Sequence, residues 1–316
     1  MSDVLLLLAG FVALIFGATK LVDAASSLAS RLGVPNIVIG LTIVAFGTSA
    51  PELVVNVFAA MNNNTDMILG NVLGSNIFNV LGILGVASLI YPLTVKSNTT
   101  WLEIPLSFLA ALSVLVLAND VFLDGVAADA ISRTDGIILL LFFCIFLVYN
   151  ISLAKGGSGE DETPTINYTY LKAALYLLAG LAGLIIGGRL IVTSAVSIAQ
   201  AFGLSERVIG LTIISIGTSL PELATSVIAV RKRNVDIAIG NVVGSNIFNI
   251  FFILGISTVV TQVTVKPESG IDIIVNIGAS LLLFIFVFTG KGRQLVRWEG
   301  GVLLALYVGY LLLLLV

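Results

Sequence analysis

The chain has 316 residues, of which 58% are hydrophobic and only 10% charged, with a mean hydropathy of +1.12. A soluble domain carries about 25% charged residues, so a water-facing exterior is excluded and most of the surface must face lipid. The net charge of -3 assigns no partner, the single Cys144 excludes an intrachain disulfide, and the absence of histidine removes His bases, His proton relays and the usual zinc sites.

A membrane-spanning helix needs about 20 mostly apolar residues. Ten candidates follow in chain order: 4–24, 35–60, 67–91, 102–118, 136–153, 171–199, 207–230, 237–260, 271–288 and 300–316. The first lacks a basic n-region and a cleavage site, so it reads as a retained span and not a signal peptide. The Gly-, Ser- and acid-rich stretch 154–169 reads as a linker. Trp101, Trp298, Tyr91, Tyr168 and Tyr170 fall near span ends and read as interfacial belt residues.

Orientation follows from the Lys and Arg bias. With the N-terminus outside, Lys20, Arg31, Lys96, Lys155, Lys172, Arg231, Lys232, Arg233, Lys291, Arg293 and Arg297 are cytoplasmic. Only Arg133, Arg189, Arg207 and Lys266 are then external. Both termini are predicted outside, and Arg231–Lys232–Arg233 reads as a topology signal.

Residues 40–85 and 210–255 align without a gap at an offset of 170, with 26 of 46 positions identical. A weaker echo relates RTDG at Arg133 to RWEG at Arg297. Five spans per half force the second half to enter the membrane in the opposite sense. The predicted fold is therefore an all-α membrane protein of ten helices in two inverted five-helix repeats. The first repeat is 1–153, the cytoplasmic linker 154–169 and the second repeat 170–316. Inverted repeats of this kind place the ion site of secondary transporters at the repeat interface.

Glu52 and Glu222 occupy matching positions and are predicted to be the only acids deep within a span. A carboxylate at that depth is costly, and no Lys or Arg lies near either in sequence, so cations or protons must sit between them. Each follows Gly-Thr-Ser-x-Pro. Pro51 and Pro221 should break their helices and free carbonyls one turn back, beside the hydroxyls of Thr48, Ser49, Thr218 and Ser219. Irregular backbone at membrane depth is tolerated where it lines a cavity.

The next helix of each half carries GSNIFN, with Ser75 and Asn79, and Ser245 and Asn249, on one face. Asn76 and Asn246 read as braces of the break. Gly70, Gly74, Gly240 and Gly244 read as packing residues that let another backbone approach. Such an all-oxygen set suits calcium, which takes 6–8 oxygens, and sodium can compete for it; the lack of soft ligands argues against copper and zinc. Two ionised glutamates balance one divalent cation. Proton coupling and a cation channel stay open on the residues alone, whereas catalysis has no plausible residues.

The paired GTSAPE/GSNIFN and GTSLPE/GSNIFN motifs resemble the alpha repeats of the cation/calcium exchanger superfamily, with the nearest likeness to prokaryotic sodium/calcium exchangers. The resemblance implies a secondary active sodium/calcium antiporter of the plasma membrane, working by alternating access. Its ligands would be Glu52 and Glu222 with Thr48, Ser49, Thr218, Ser219, Asn79, Asn249, Ser75 and Ser245 and the carbonyls of Ala45 and Ser215. The first and sixth helices would slide over the core. Asn at both 79 and 249, where potassium-dependent members carry Asp at the latter, argues against potassium coupling, and Leu53 and Leu223 argue against the proton-coupled branch. The expected partners are Ca2+, Na+ and the bilayer, with no nucleic acid, cofactor or obligate protein partner.

Overall fold

In lipid every backbone polar group must be satisfied within the protein, so apolar runs of this length become helices. The computed structural model describes residues 2–155, 167–202, 215–289 and 292–314. Its first helix, α1 (Ser2–Leu32), is followed by α2 (Asn36–Ile39), a π-helical turn at Gly40–Val44, α3 (Ala45–Thr48) and α4 (Ala50–Met61). Next come α5 (Thr65–Ile77), a π-helical stretch at Phe78–Leu84 and α6 (Gly85–Ile90), which form one continuous span. The half is completed by α7 (Ile104–Leu117), the short α8 (Asp120–Asp124) and α9 (Arg133–Lys155).

The second half repeats this order with α10 (Tyr170–Ala201), α11 (Ser215–Thr218), α12 (Leu220–Arg231), α13 (Val235–Ile247), a π-helical stretch at Phe248–Leu254, α14 (Gly255–Val260), α15 (Ser269–Thr289) and α16 (Arg297–Leu314). Among the described residues, eight helices are long and apolar enough to cross a membrane, and α2–α3 with α4 make a ninth span bent by 47°. The predicted 207–230 span lies partly outside the described residues. Its described part, α11 and α12, mirrors α3 and α4 in sequence. The 4–24 prediction was too short, because the small-residue run through Leu32 continues the helix.

Burial separates the spans. The Thr65–Ile90 and Val235–Val260 windows are 78% and 94% buried, whereas the six other long spans are 22–39% buried. The GSNIFN spans therefore form the centre, and the others present apolar side chains outward. At about 1.5 Å per residue, the 31 residues of α1 and 32 of α10 exceed the bilayer core, which favours tilt.

Helices α1 and α10 pack on each other backbone to backbone. A Cβ at Gly17 would lie 2.7 Å from the Gly180 carbonyl oxygen, and one at Gly187 would lie 2.6 Å from the Leu14 nitrogen. Small residues at a membrane seam permit this approach.

The halves are clipped together at both ends. Strand β1 (Leu93–Thr94) pairs antiparallel with β4 (Gln294–Leu295), and β2 (Ala130–Ile131) with β3 (Val263–Thr264). Beside them lie ion pairs related by the same 170 offset, Lys96–Asp236 at 2.6 Å and Lys266–Asp66 at 2.5 Å. The hydrogen bond that Lys266 donates to Asp66 raises the pKa of Lys266.

The RTDG/RWEG echo has a capping role. The Ser132 N–H donates to Asp135 and the Val296 N–H to Glu299, each at 2.7 Å, fastening the start of the last span of each half; only Ser132 returns a side-chain bond, to the Asp135 N–H, and completes a capping box.

Three sequence expectations need correction. Glu103 and Glu299 are also fully buried. They are tolerated because Tyr149 donates to Glu103, while Thr289 and the Val296 N–H donate to Glu299. Tyr168 is 8% exposed and so is no belt residue; its N–H is bonded to Ser27. A Cβ at Gly70 would meet nothing within 4 Å, whereas one at its counterpart Gly240 would lie 2.9 Å from the Ile37 carbonyl oxygen. Only the second of these glycines is required by a close approach.

Candidate functional site

The site grows from the two helix breaks. Proline can occupy the first turn of a helix, where an N–H is unsatisfied anyway. Pro51 and Pro221 therefore start α4 and α12 and end what precedes them. The residue at each break is a serine, with ψ of 7° at Ser49 and 9° at Ser219. Glu52 and Glu222 follow in the first turns, where the positive end of each half-helix favours negative charge. Both side chains are 1% exposed. Neither is in an ion pair with Lys or Arg among the described residues.

A serine at a helix start normally caps its own helix. Neither serine does so here. Ser49 Oγ instead donates to Glu222 Oε1 at 2.9 Å, and Ser219 Oγ to Glu52 Oε1 at 3.0 Å. Each half thus holds the carboxylate of the other. Ser245 Oγ lies 3.5 Å from Glu222 Oε1.

The second oxygens are left without protein partners. Glu52 Oε2, Glu222 Oε2, Ser75 Oγ, Asn79 Oδ1 and Asn249 Oδ1 are all buried and accept no hydrogen bond. Buried polar atoms are normally paired. These five, which are not the only partnerless buried atoms among the described residues, lie on the four elements predicted to carry ligands, and carboxylate, hydroxyl and amide oxygens are the atom types that a hard cation takes.

The two asparagines are aimed by a ring of amides. Asn79 Nδ2 donates to Asn246 Oδ1 at 3.0 Å, and Asn249 Nδ2 to Asn76 Oδ1 at 2.9 Å. Asn76 and Asn246 also donate to each other's backbone carbonyls at 3.2 and 3.4 Å. This consumes the NH2 groups and leaves Oδ1 of Asn79 and Asn249 free. Asn76 and Asn246 are thus bonded to each other and to Asn249 and Asn79 across the two GSNIFN spans, and not to the helix breaks.

The threonines are used differently. Thr48 Oγ1 donates to Asn241 Oδ1 at 2.9 Å, and the half-buried Thr218 Oγ1 donates to Asn71 Oδ1 at 3.4 Å. Asn241 also donates to the Glu222 carbonyl at 3.1 Å and to Ser226 at 3.0 Å, and Asn71 donates to Asn56 at 2.9 Å. Sequence reasoning missed Asn71 and Asn241. Their signal was present, since both are identical residues at the 170 offset inside the aligned block. The Ala45 carbonyl already accepts from the Ser49 N–H at 3.0 Å and from Thr48 Oγ1 at 3.3 Å. Ser215 begins α11, and its side chain lies outside the described residues.

A cavity of about 530 Å³ reaches the breaks from one side. It runs between α4 and α10, lined by Val54, Phe58, Arg189 and Thr193, and ends on Thr218, Pro51 and Pro221. Helix α4 leads from the break to Met61, so the cavity lies toward that end of the bundle.

A bent, lipid-facing bundle with two buried carboxylates among hydroxyl and amide groups at its helix breaks defines a membrane cation transporter. The chain belongs to the sodium/calcium exchanger family, whose model, described as sodium/calcium exchanger protein, matches residues 2–152 and 172–316. It is 41% identical to the putative antiporter CaxA of Alkalimonas amylolytica over 96% of this chain and 95% of that one. It is 33% identical to the sodium/calcium exchanger MaX1 of Methanosarcina acetivorans, covering 98% and 97% of the two chains. Among solved structures, the sodium–calcium exchanger NCX_Mj superposes with a TM-score of 0.82 at 31% identity, over 98% of this chain and 97% of that one. The family consists of secondary transporters, not enzymes, and it moves Na+ and Ca2+ without a cofactor.

Proposed function

We propose that this chain exchanges Na+ for Ca2+ by alternating access, at one site held between Glu52 and Glu222. The observation that carries the reading is the crossed arrangement of the two glutamates. Each has one oxygen fixed by the other half's serine and a second turned to a shared, partnerless oxygen set. Two charges neutralise one Ca2+ or two Na+. A bare -2 site at membrane depth is costly to carry across, which couples movement to occupancy and disfavours leak.

The ligand set we assign is Glu52, Glu222, Ser75, Ser245, Asn79 and Asn249, with Ser49, Ser219, Thr48 and Thr218 and the Ala45 and Ser215 carbonyls beside them. Ten spans in two inverted repeats, 1–153 and 170–316 about the 154–169 linker, complete the architecture. The matching strand clips, and the ion pairs related by the 170 offset, support it. The Lys and Arg bias supports a plasma-membrane protein with both termini outside, and the 530 Å³ cavity would then face outward.

The test is calcium uptake into sodium-loaded proteoliposomes diluted into sodium-free buffer. Uptake driven by the sodium gradient and unmoved by a pH gradient supports the reading. Uptake driven by pH without sodium would assign proton coupling instead, and passive conductance would assign a channel.

A further inference from the structure

The 170 offset extends into the two long helices, where Gly10 and Gly17 correspond to Gly180 and Gly187. Asp23 thereby corresponds to Thr193, Ser26 to Val196, Lys232 to Asn62 and Asn234 to Asn64. The two ends of the bundle differ at the first three of these positions. At the Arg231 end, Lys232 Nζ meets Asp23 Oδ1 at 2.5 Å and lies 3.4 Å from the Thr19 carbonyl oxygen. Beside it, Asn234 Nδ2 donates to the buried Ser26 Oγ at 2.8 Å. These contacts tie α1, and α10 packed along it, to the end of α12 and the start of α13.

At the Met61 end the counterparts carry no charge, and Thr193 lines the open cavity beside α4. These four counterparts cannot form an ion pair with one another. The side chains of the Asp23–Lys232 pair are only 14% and 33% exposed. Part-buried ion pairs are screened by salt much less than exposed ones.

We propose that Asp23, Lys232, Ser26 and Asn234 form a one-sided latch for the α1–α10 pair, so that the transporter rests with its cavity at the Met61 end open down to the helix breaks. The inference rests on the alternating-access reading and adds to it a resting direction and the residues that set it. A repeat-symmetric carrier would favour neither side; the latch breaks that symmetry at three positions, Asp23, Ser26 and Lys232, whereas Asn234 is matched by Asn64.

The test begins with a Cys144→Ser background, which removes the lone exposed cysteine, carrying Thr193→Cys as a reporter in the cavity. Labelling by a membrane-impermeant maleimide is followed in detergent without Na+ or Ca2+ gradients. Asp23→Asn and Lys232→Met are expected to slow labelling about five- to tenfold, as the open state loses population. The charge-swapped D23K/K232D protein is expected to recover toward the parent rate. Ser26→Ala, which removes no charge, is expected to shift the rate in the same direction by a smaller factor, and serves if a charge variant fails to fold. Equal labelling in parent, single variants and swap overturns the latch. Labelling needs no transport, so a parent that labels as expected but shows no exchange would sink the functional reading alone.

Discussion

Ser49, at the break of the first bent span, donates its hydroxyl to Glu222, 173 residues away, and not to its own helix. Ser219 does the same for Glu52. The glutamates are thus positioned by the docking of the two halves, so the site exists only when both are folded together.

Hydrogen bonds to charged groups contribute about 1.5–3 kcal/mol. Ser49→Ala and Ser219→Ala should therefore each weaken apparent calcium affinity by roughly 10- to 100-fold. A double-mutant cycle sharpens this: Ser49→Ala should couple to Glu222→Gln by more than about 1 kcal/mol and to Glu52→Gln by less. Titration calorimetry on the purified variants measures both.

The amide ring predicts a specific indirect effect. Asn246→Ala removes the acceptor that holds Asn79, so the Asn79 oxygen loses its aim. Calcium affinity should fall about tenfold, although Asn246 itself is not assigned as a ligand. Asn249→Ala, which removes a proposed ligand oxygen outright, should cost at least as much.

Ligand removal should be visible in stability. A cation that binds only the folded state stabilises it by about 2.7 kcal/mol at a hundredfold excess over its dissociation constant. Calcium should raise the unfolding temperature of the native protein and leave the Glu52→Gln/Glu222→Gln double variant unmoved. Chelation should reverse the rise.

The helix seam gives a packing prediction. Gly17→Val would drive its Cβ into the Gly180 carbonyl and should part α1 from α10, lowering the unfolding temperature and abolishing transport. Gly70→Ala meets open space and should change little, although Gly70 lies within the repeat.

The sequence made the acids, the prolines, the serines and GSNIFN legible, because the repeat wrote them twice and their chemistry is local. The direction of each side chain was not legible. Asn71 and Asn241 bond across the repeat to Thr218 and Thr48, and azimuths of that kind are set by how the halves dock. Glu103 drew no notice in the sequence because its partner Tyr149 lies 46 residues away. Lys232 read as a topology signal, since nothing local reveals that Asp23, 209 residues earlier, would meet it.

The most direct test of the shared site is anomalous diffraction from crystals of the protein soaked in Ca2+, with and without excess Na+. One calcium peak should stand about 2.3–2.6 Å from an oxygen of Glu52 and from an oxygen of Glu222, and high sodium should displace it. A calcium ion bound elsewhere, or at a single glutamate only, would contradict the account.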